Sequence, residues 1–223
     1  MTDRIEIVLE TGRKRTFASA IDWPGWSRSG RDADAALAAL VGYGQRYAHV
    51  LGGTVPFAAP GGVEDLAVVE RLPGSSGTDF GVPSGTTDAH DRLLDAPELE
   101  RQSRILEACW RYFDAASERA VGRTLTTGPR GGGRSLDKIA GHVAESEAAY
   151  LQQLGSKPPR DAGPETIREL ILETLRARAT GDVPPNVNQV KRPWSPRYFV
   201  RRAAWHVLDH AWEIEDRSGT APD

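Results

Sequence analysis

Five histidines occur in the 223 residues, and two of them, His206 and His210, stand four positions apart. On a helix, residues four apart lie one above the other on one face. The surrounding sequence reads as one helix. Ser195 is a good N-cap residue, Pro196 occupies the first helical position, where a missing N–H costs nothing, and Gly219 supplies a stop. Phe199, Ala203 and Glu213 share the stripe with the two histidines. Most of it is apolar or small, which predicts a face turned to a core. Two imidazoles on such a face need partners, and a divalent metal is the partner that two neutral rings one turn apart fit best. Spacing alone equally allows a structural or solvated pair, and a third ligand has to come from elsewhere in the chain. His90 lies in a turn-rich stretch and reads as solvated. His49 has no partner at ligand spacing.

The elements around that helix are also helical. Pro97-Glu98-Leu99 opens a helix to about Ala120, with Leu99, Ile105, Leu106, Cys109, Trp110, Phe113 and Ala116 on its apolar side. Ser135 caps a second, from Leu136 to about Leu154, closed by Gly155. A third runs from about Pro164 to Thr180. Four helices around one core make a four-helix bundle. The loop Gly128-Pro129-Arg130-Gly131-Gly132-Gly133 resembles a phosphate cradle only superficially, because it lacks the Gly-Lys-Ser/Thr ending and a preceding strand.

Residues 1–73 show a different pattern, that of an α+β domain. Strand character over 5–10 and 15–21, with a turn between, predicts a hairpin, and a short third strand follows near 26–28. Asp32 caps a helix that runs to about Leu51, and 66–72 is a fourth strand, giving β-β-β-α-β. Residues 74–96 are rich in turn residues and read as a linker. The run Phe17-Ala18-Ser19-Ala20-Ile21-Asp22-Trp23-Pro24-Gly25-Trp26, then Ser29-Gly30, then Asp34-Ala35-Ala36-Leu37, resembles the HicB-like antitoxin fold over residues 1–72. Antitoxins of that family usually add a DNA-binding module, and none is visible here. The resemblance therefore implies a fold and not a toxin-neutralising role. Such a domain packs on its neighbour or joins two copies of the chain as a homodimer.

The helical half, residues 97–217, resembles the DinB/YfiT-like superfamily of four-helix metal proteins. The likeness is carried by Ser135-Leu136-Asp137-Lys138-Ile139-Ala140-Gly141-His142-Val143-Ala144-Glu145 and by Trp205-His206-Val207-Leu208-Asp209-His210. In that family the second helix brings one histidine to the metal and the last brings two. The resemblance thus implies a three-histidine site of His142, His206 and His210, with coordination positions open to water or substrate. Zinc or nickel suits such a donor set. Each ring's second nitrogen needs an acceptor, for which Glu145, Asp209 and Glu213 are candidates, though each also reads as a solvated helix charge.

Open sites of this kind in the superfamily serve thiol-dependent S-transferases and isomerases, often with a low-molecular-weight thiol such as mycothiol as cosubstrate, or hydrolases. Among Lys191, Arg192, Arg197, Arg201 and Arg202, the pair Arg197 and Arg201 is favoured for an anionic small-molecule substrate, being one turn apart and close before His206. The alternative is a non-catalytic stress, regulatory or interaction protein whose metal site is structural or idle. Composition narrows the rest. The net charge is −3, and neither half of the chain is basic enough to suggest nucleic-acid binding. No apolar run is long enough for a membrane span, so no membrane partner is expected. The single cysteine, Cys109, suits a reducing cytoplasm and reads as a small apolar filler.

Overall fold

The computed structural model describes residues 4–127, 133–182, 184 and 186–219. The glycine-rich loop 128–132, and with it the question of a phosphate cradle, lies outside the described residues. The chain is mixed α+β and divides into two compact units, Met1–Arg92 and Leu93–Asp223. No helix among the described residues is long and apolar enough to cross a membrane.

The first unit holds a four-stranded sheet. Strands β1 (Ile5–Thr11), β2 (Thr16–Ala20), β3 (Ser27–Gly30) and β4 (Leu66–Pro73) lie in the order β3-β2-β1-β4. β2 pairs antiparallel with β1 and β3, and β4 joins the other side of β1 in parallel. β1 is therefore interior, and Ile7, Val8, Leu9 and Glu10 are all buried. A parallel neighbour requires a crossover, supplied by the segment carrying helices α1 (Ala33–Gly42) and α2 (Gly44–Leu51). The sequence predicts one helix here. The structure breaks it at Tyr43, between Gly42 and Gly44, two poor helix formers. Gly30 is required where it stands: a side chain there would collide with the backbone of Ala35 and Ala36 as α1 begins. Trp26 and Tyr47 stack in this core, with Trp26 Nε1 donating to Leu40 O and the Tyr47 hydroxyl to Pro24 O.

The expected linker over 74–96 is instead largely part of this unit, which ends at Arg92. Ser75 and Thr87 cap two short helices, α3 (Ser76–Phe80) and α4 (Asp88–Asp91). The physical reason is Glu10, a buried carboxylate that needs donors. Thr78 Oγ1 donates to it at 2.5 Å, Gly85 N at 2.8 Å and Ser84 N at 3.3 Å. Small polar residues and glycine can approach a carboxylate closely, and the same composition reads as a linker. His90 is corrected with it. It is buried, and its Nδ1 accepts from Thr87 N at 2.9 Å.

The second unit is built of four long helices, α5 (Ala96–Ala120), α6 (Leu136–Leu154), α7 (Pro164–Thr180) and α8 (Pro196–Ser218). Their ends follow local chemistry. Asp95 and Ser195 accept from the backbone N–H of Glu98 and Tyr198, and Gly155, Gly181 and Gly219 close α6, α7 and α8 with left-handed backbone. α8 packs on α5, α6 and α7, most extensively on α5, and is buried on nearly every side. Polar ties cross the core. Glu215, fully buried, accepts from the Tyr112 hydroxyl and Arg119 Nη2. Arg168 on α7 grips both carboxylate oxygens of Asp114 on α5 and reaches Glu147 on α6. Cys109 is buried in α5, where desolvation pushes its thiol pKa far up and leaves it inert.

Candidate metal centre

α8 has apolar residues on most of its circumference, so its histidine face must also be turned inward. His206 and His210 are 7% and 8% exposed. His142 on α6 meets them from the opposite side and is half-buried. One ring nitrogen from each of the three lies within 4.8 Å of the others. His142 Nε2 and His206 Nε2 are 3.2 Å apart. The ring centroids are 4.7 to 5.1 Å apart, and the planes stand nearly edge to face. Among the described residues this is the group of histidine, cysteine or carboxylate side chains arranged to hold a cation.

The electrostatics favour neutral rings. Burial, then the neighbouring His210 and Arg202, push the pKa of His206 down to about 2, and burial also lowers that of His142. Imidazole binds a metal only when neutral, and the lowered pKa values of His142 and His206 favour that form at these two rings.

The surrounding residues fix one ring firmly. His210 Nδ1 is 2.9 Å from Glu213 Oε2, so a proton donated there leaves the lone pair on Nε2. Glu213 is held as a carboxylate by that hydrogen bond, then by Arg217, whose Nη1 donates to Oε1 at 2.7 Å. Arg217 also donates to Thr126 O and Arg134 O, which ties the relay to the segments flanking the α5–α6 connection. Glu213 is thus the carboxylate beside the His210 ring. Glu145 is exposed on α6, where its charge only favours protonation of His142, and Asp209 is half-buried on α8. His206 differs. With Nε2 toward the cluster its Nδ1 is buried without an acceptor among the described residues, whereas His210 has Glu213.

The favoured cations occupy other places. Arg197 donates to Glu98 Oε1 at 3.2 Å and to Leu93 O, a structural tie between α8 and α5. Arg201 is buried, its guanidinium over the Tyr198 ring. Arg202 is the one beside the histidines. Four-residue spacing gives the reason: Arg202, His206 and His210 form one column, and Arg201 is a position off it. Tyr150, on α6, is a further neighbour of the cluster. Its ring centroid is 5.6 Å from that of His206. It stands eight positions, about two turns, beyond His142, a signal that was present in the sequence.

Comparison of the chain with protein-family models, with curated proteins and with solved structures finds no match. What the fold and site define is a mixed α+β chain whose helical unit carries a three-histidine cluster.

Proposed function

We propose that the second unit is a four-helix bundle of the DinB/YfiT-like kind that holds a divalent metal, zinc or nickel, and acts on a small molecule as a thiol-dependent S-transferase or isomerase, or as a hydrolase. The observation that carries this reading is the convergence of three imidazole nitrogens within 4.8 Å. The donor set fits the group: three neutral nitrogen ligands, borderline-soft, with no fourth protein ligand in the cluster among the described residues.

His142, His206 and His210 would hold the ion. When bound, it supplies Lewis acidity that lowers the pKa of a thiol or water brought to it. The chain's own residues do the rest. Glu213 orients the His210 ring and keeps its lone pair toward the cluster. Arg217 fixes Glu213 and holds it charged. Aromatic rings flank the cluster, with Trp205 buried and Trp194 beside Tyr150. His142, half-buried, leaves a way in. The first unit is read as a HicB-like domain that serves association, between copies of the chain or with its neighbour.

Metal titration calorimetry on the untagged full chain tests the reading. One zinc or nickel ion should bind per chain, and His142→Ala, His206→Ala and His210→Ala should each abolish tight binding. Wild-type uptake in any of the three variants refutes the site. A cobalt-loaded sample should change its visible spectrum on addition of 2-mercaptoethanol. An unchanged spectrum removes the thiol chemistry and leaves the hydrolase and association readings.

A further inference from the structure

Arg202 stands one turn before His206 on α8, and nothing in the histidine geometry requires a cation there. Its guanidinium carbon lies 4.7 Å from the ring centroid of Trp205 and 5.6 Å from that of Tyr150. Its Nη1 is buried without a hydrogen-bond acceptor, and no carboxylate pairs with it among the described residues. Other arginines of this unit are paired: Arg119 with Glu215, Arg168 with Asp114, Arg197 with Glu98, Arg217 with Glu213. A buried guanidinium N–H with no acceptor is unfavourable. The two ring contacts offset part of that cost through the cation–π attraction, and the Tyr150 hydroxyl lies close enough to the guanidinium to share a hydrogen bond with it, but neither contact supplies a negative charge. What the arrangement lacks is an anion.

A second donor stands close by. Tyr150 projects from α6, with its ring next to those of His206 and Trp194. Its phenolic hydroxyl is a hydrogen-bond donor. His142, Tyr150, Trp194 and Arg202 are each only half-buried, so solvent reaches this side of the cluster. A guanidinium fork, a phenolic donor and an indole face together suit a planar acid.

We propose that Arg202 and the Tyr150 hydroxyl bind the carboxylate of a planar small-molecule acid, whose flat portion lies against the indole of Trp194 beside the three histidines. The assignment rests on reading the cluster as the place where a substrate reacts, but binding of the acid itself needs no metal. The Arg197 and Arg201 guanidinium groups have no part in it.

The test uses metal-free full chain and benzoate, with benzyl alcohol as the uncharged control, followed by tryptophan fluorescence and by amide shifts. Benzoate should bind saturably and perturb the signals of Tyr150, Arg202 and Trp194, and benzyl alcohol should not saturate. R202Q should weaken benzoate binding by about tenfold or more, and R202K by less, since it keeps the charge and loses the fork. Y150F should weaken it several-fold. Absence of saturable benzoate binding by the wild type overturns the proposal, as does R202Q or benzyl alcohol matching the wild type with benzoate. Should R202Q fail to fold, the wild-type titration and Y150F decide. Zinc uptake on the same samples separates the two claims. R202Q that takes up zinc and loses benzoate supports the anion site. Wild type that takes up no zinc yet binds benzoate through Arg202 sinks the metal reading and leaves the anion site standing.

Discussion

Replacing Glu213 tests whether the histidines are held for a metal or only packed. The carboxylate uses its two oxygens for two donors, His210 Nδ1 at 2.9 Å and Arg217 Nη1 at 2.7 Å. Glu213→Gln leaves one oxygen for two donors and turns an NH₂ group toward one of them. The His210 ring then loses its negative partner and part of its basicity. Glu213→Ala removes the acceptor entirely, while Arg217 keeps Thr126 O and Arg134 O, so the helix end should hold. Loss of such a partner lowers metal affinity by about 10- to 100-fold. Because Glu213 is 34% exposed, water can replace part of its role. The Gln variant should therefore lose about tenfold and the Ala variant up to about 100-fold, or roughly 1.4 to 2.7 kcal/mol. Zinc competition against a chromophoric chelator measures this, with thermal melts of the metal-free variants as the folding control. Zinc affinity in Glu213→Ala within about a factor of two of wild type, with an intact fold, would show that ring orientation at His210 does not matter and would refute the reasoning.

Other outcomes follow from buried polar groups. Burial raises the pKa of Glu147 to about 7 from 4.5, so its carboxyl is easier to keep protonated in the folded chain than in the unfolded one. The folded state therefore binds the extra proton between those values, and stability falls as pH rises through that window. Glu147→Gln should match wild type near pH 4.5 and exceed it by about 3 kcal/mol above pH 7 in urea unfolding; a pH-independent difference contradicts the assignment. Glu10→Ala leaves Thr78 Oγ1, Ser84 N and Gly85 N without their acceptor and should cost the first unit about 3 kcal/mol, read from the same denaturation. His90→Ala should cost about 1 kcal/mol by removing the acceptor of Thr87 N, and both it and His49→Ala should leave zinc uptake unchanged in calorimetry.

Where an element's ends are made by local chemistry, the sequence shows them. The end of α6 follows from Gly155, and the limits of α7 and α8 follow from Pro164 and Gly181 and from Ser195, Pro196 and Gly219, each acting on its own turn of backbone. The strands of the first unit are legible for a similar reason, their apolar residues being dense between turn residues. Where a distant group decides, the sequence misleads. Residues 74–92 look like a linker because they are small and polar, yet Glu10, more than sixty positions earlier, draws Thr78, Ser84 and Gly85 onto β1. The break at Tyr43 is intermediate. The flanking glycines weaken the helix, but nothing in the period of the apolar residues marks a stop.

The site divides along the same line. His206 and His210 share a face because both lie on one helix, and that much is a property of spacing. Their meeting with His142 depends on how α6 and α8 pack, and the expectation came from a resemblance and not from a pattern within the chain. The misplacement of the cations is the more instructive case. Arg197 and Arg201 are one turn apart and invite pairing with an anion, but a helix arranges its residues in columns, and the column through His206 runs to Arg202. Arg197 falls where Glu98 on α5 can reach it, and so serves the packing of the helices. Among the described residues Arg202 has no such carboxylate and keeps a buried Nη1 without an acceptor, and it stands beside Tyr150 instead. A cation on the histidine column, left unpaired where its neighbours are paired, therefore marks the place for an anion better than proximity along the sequence does.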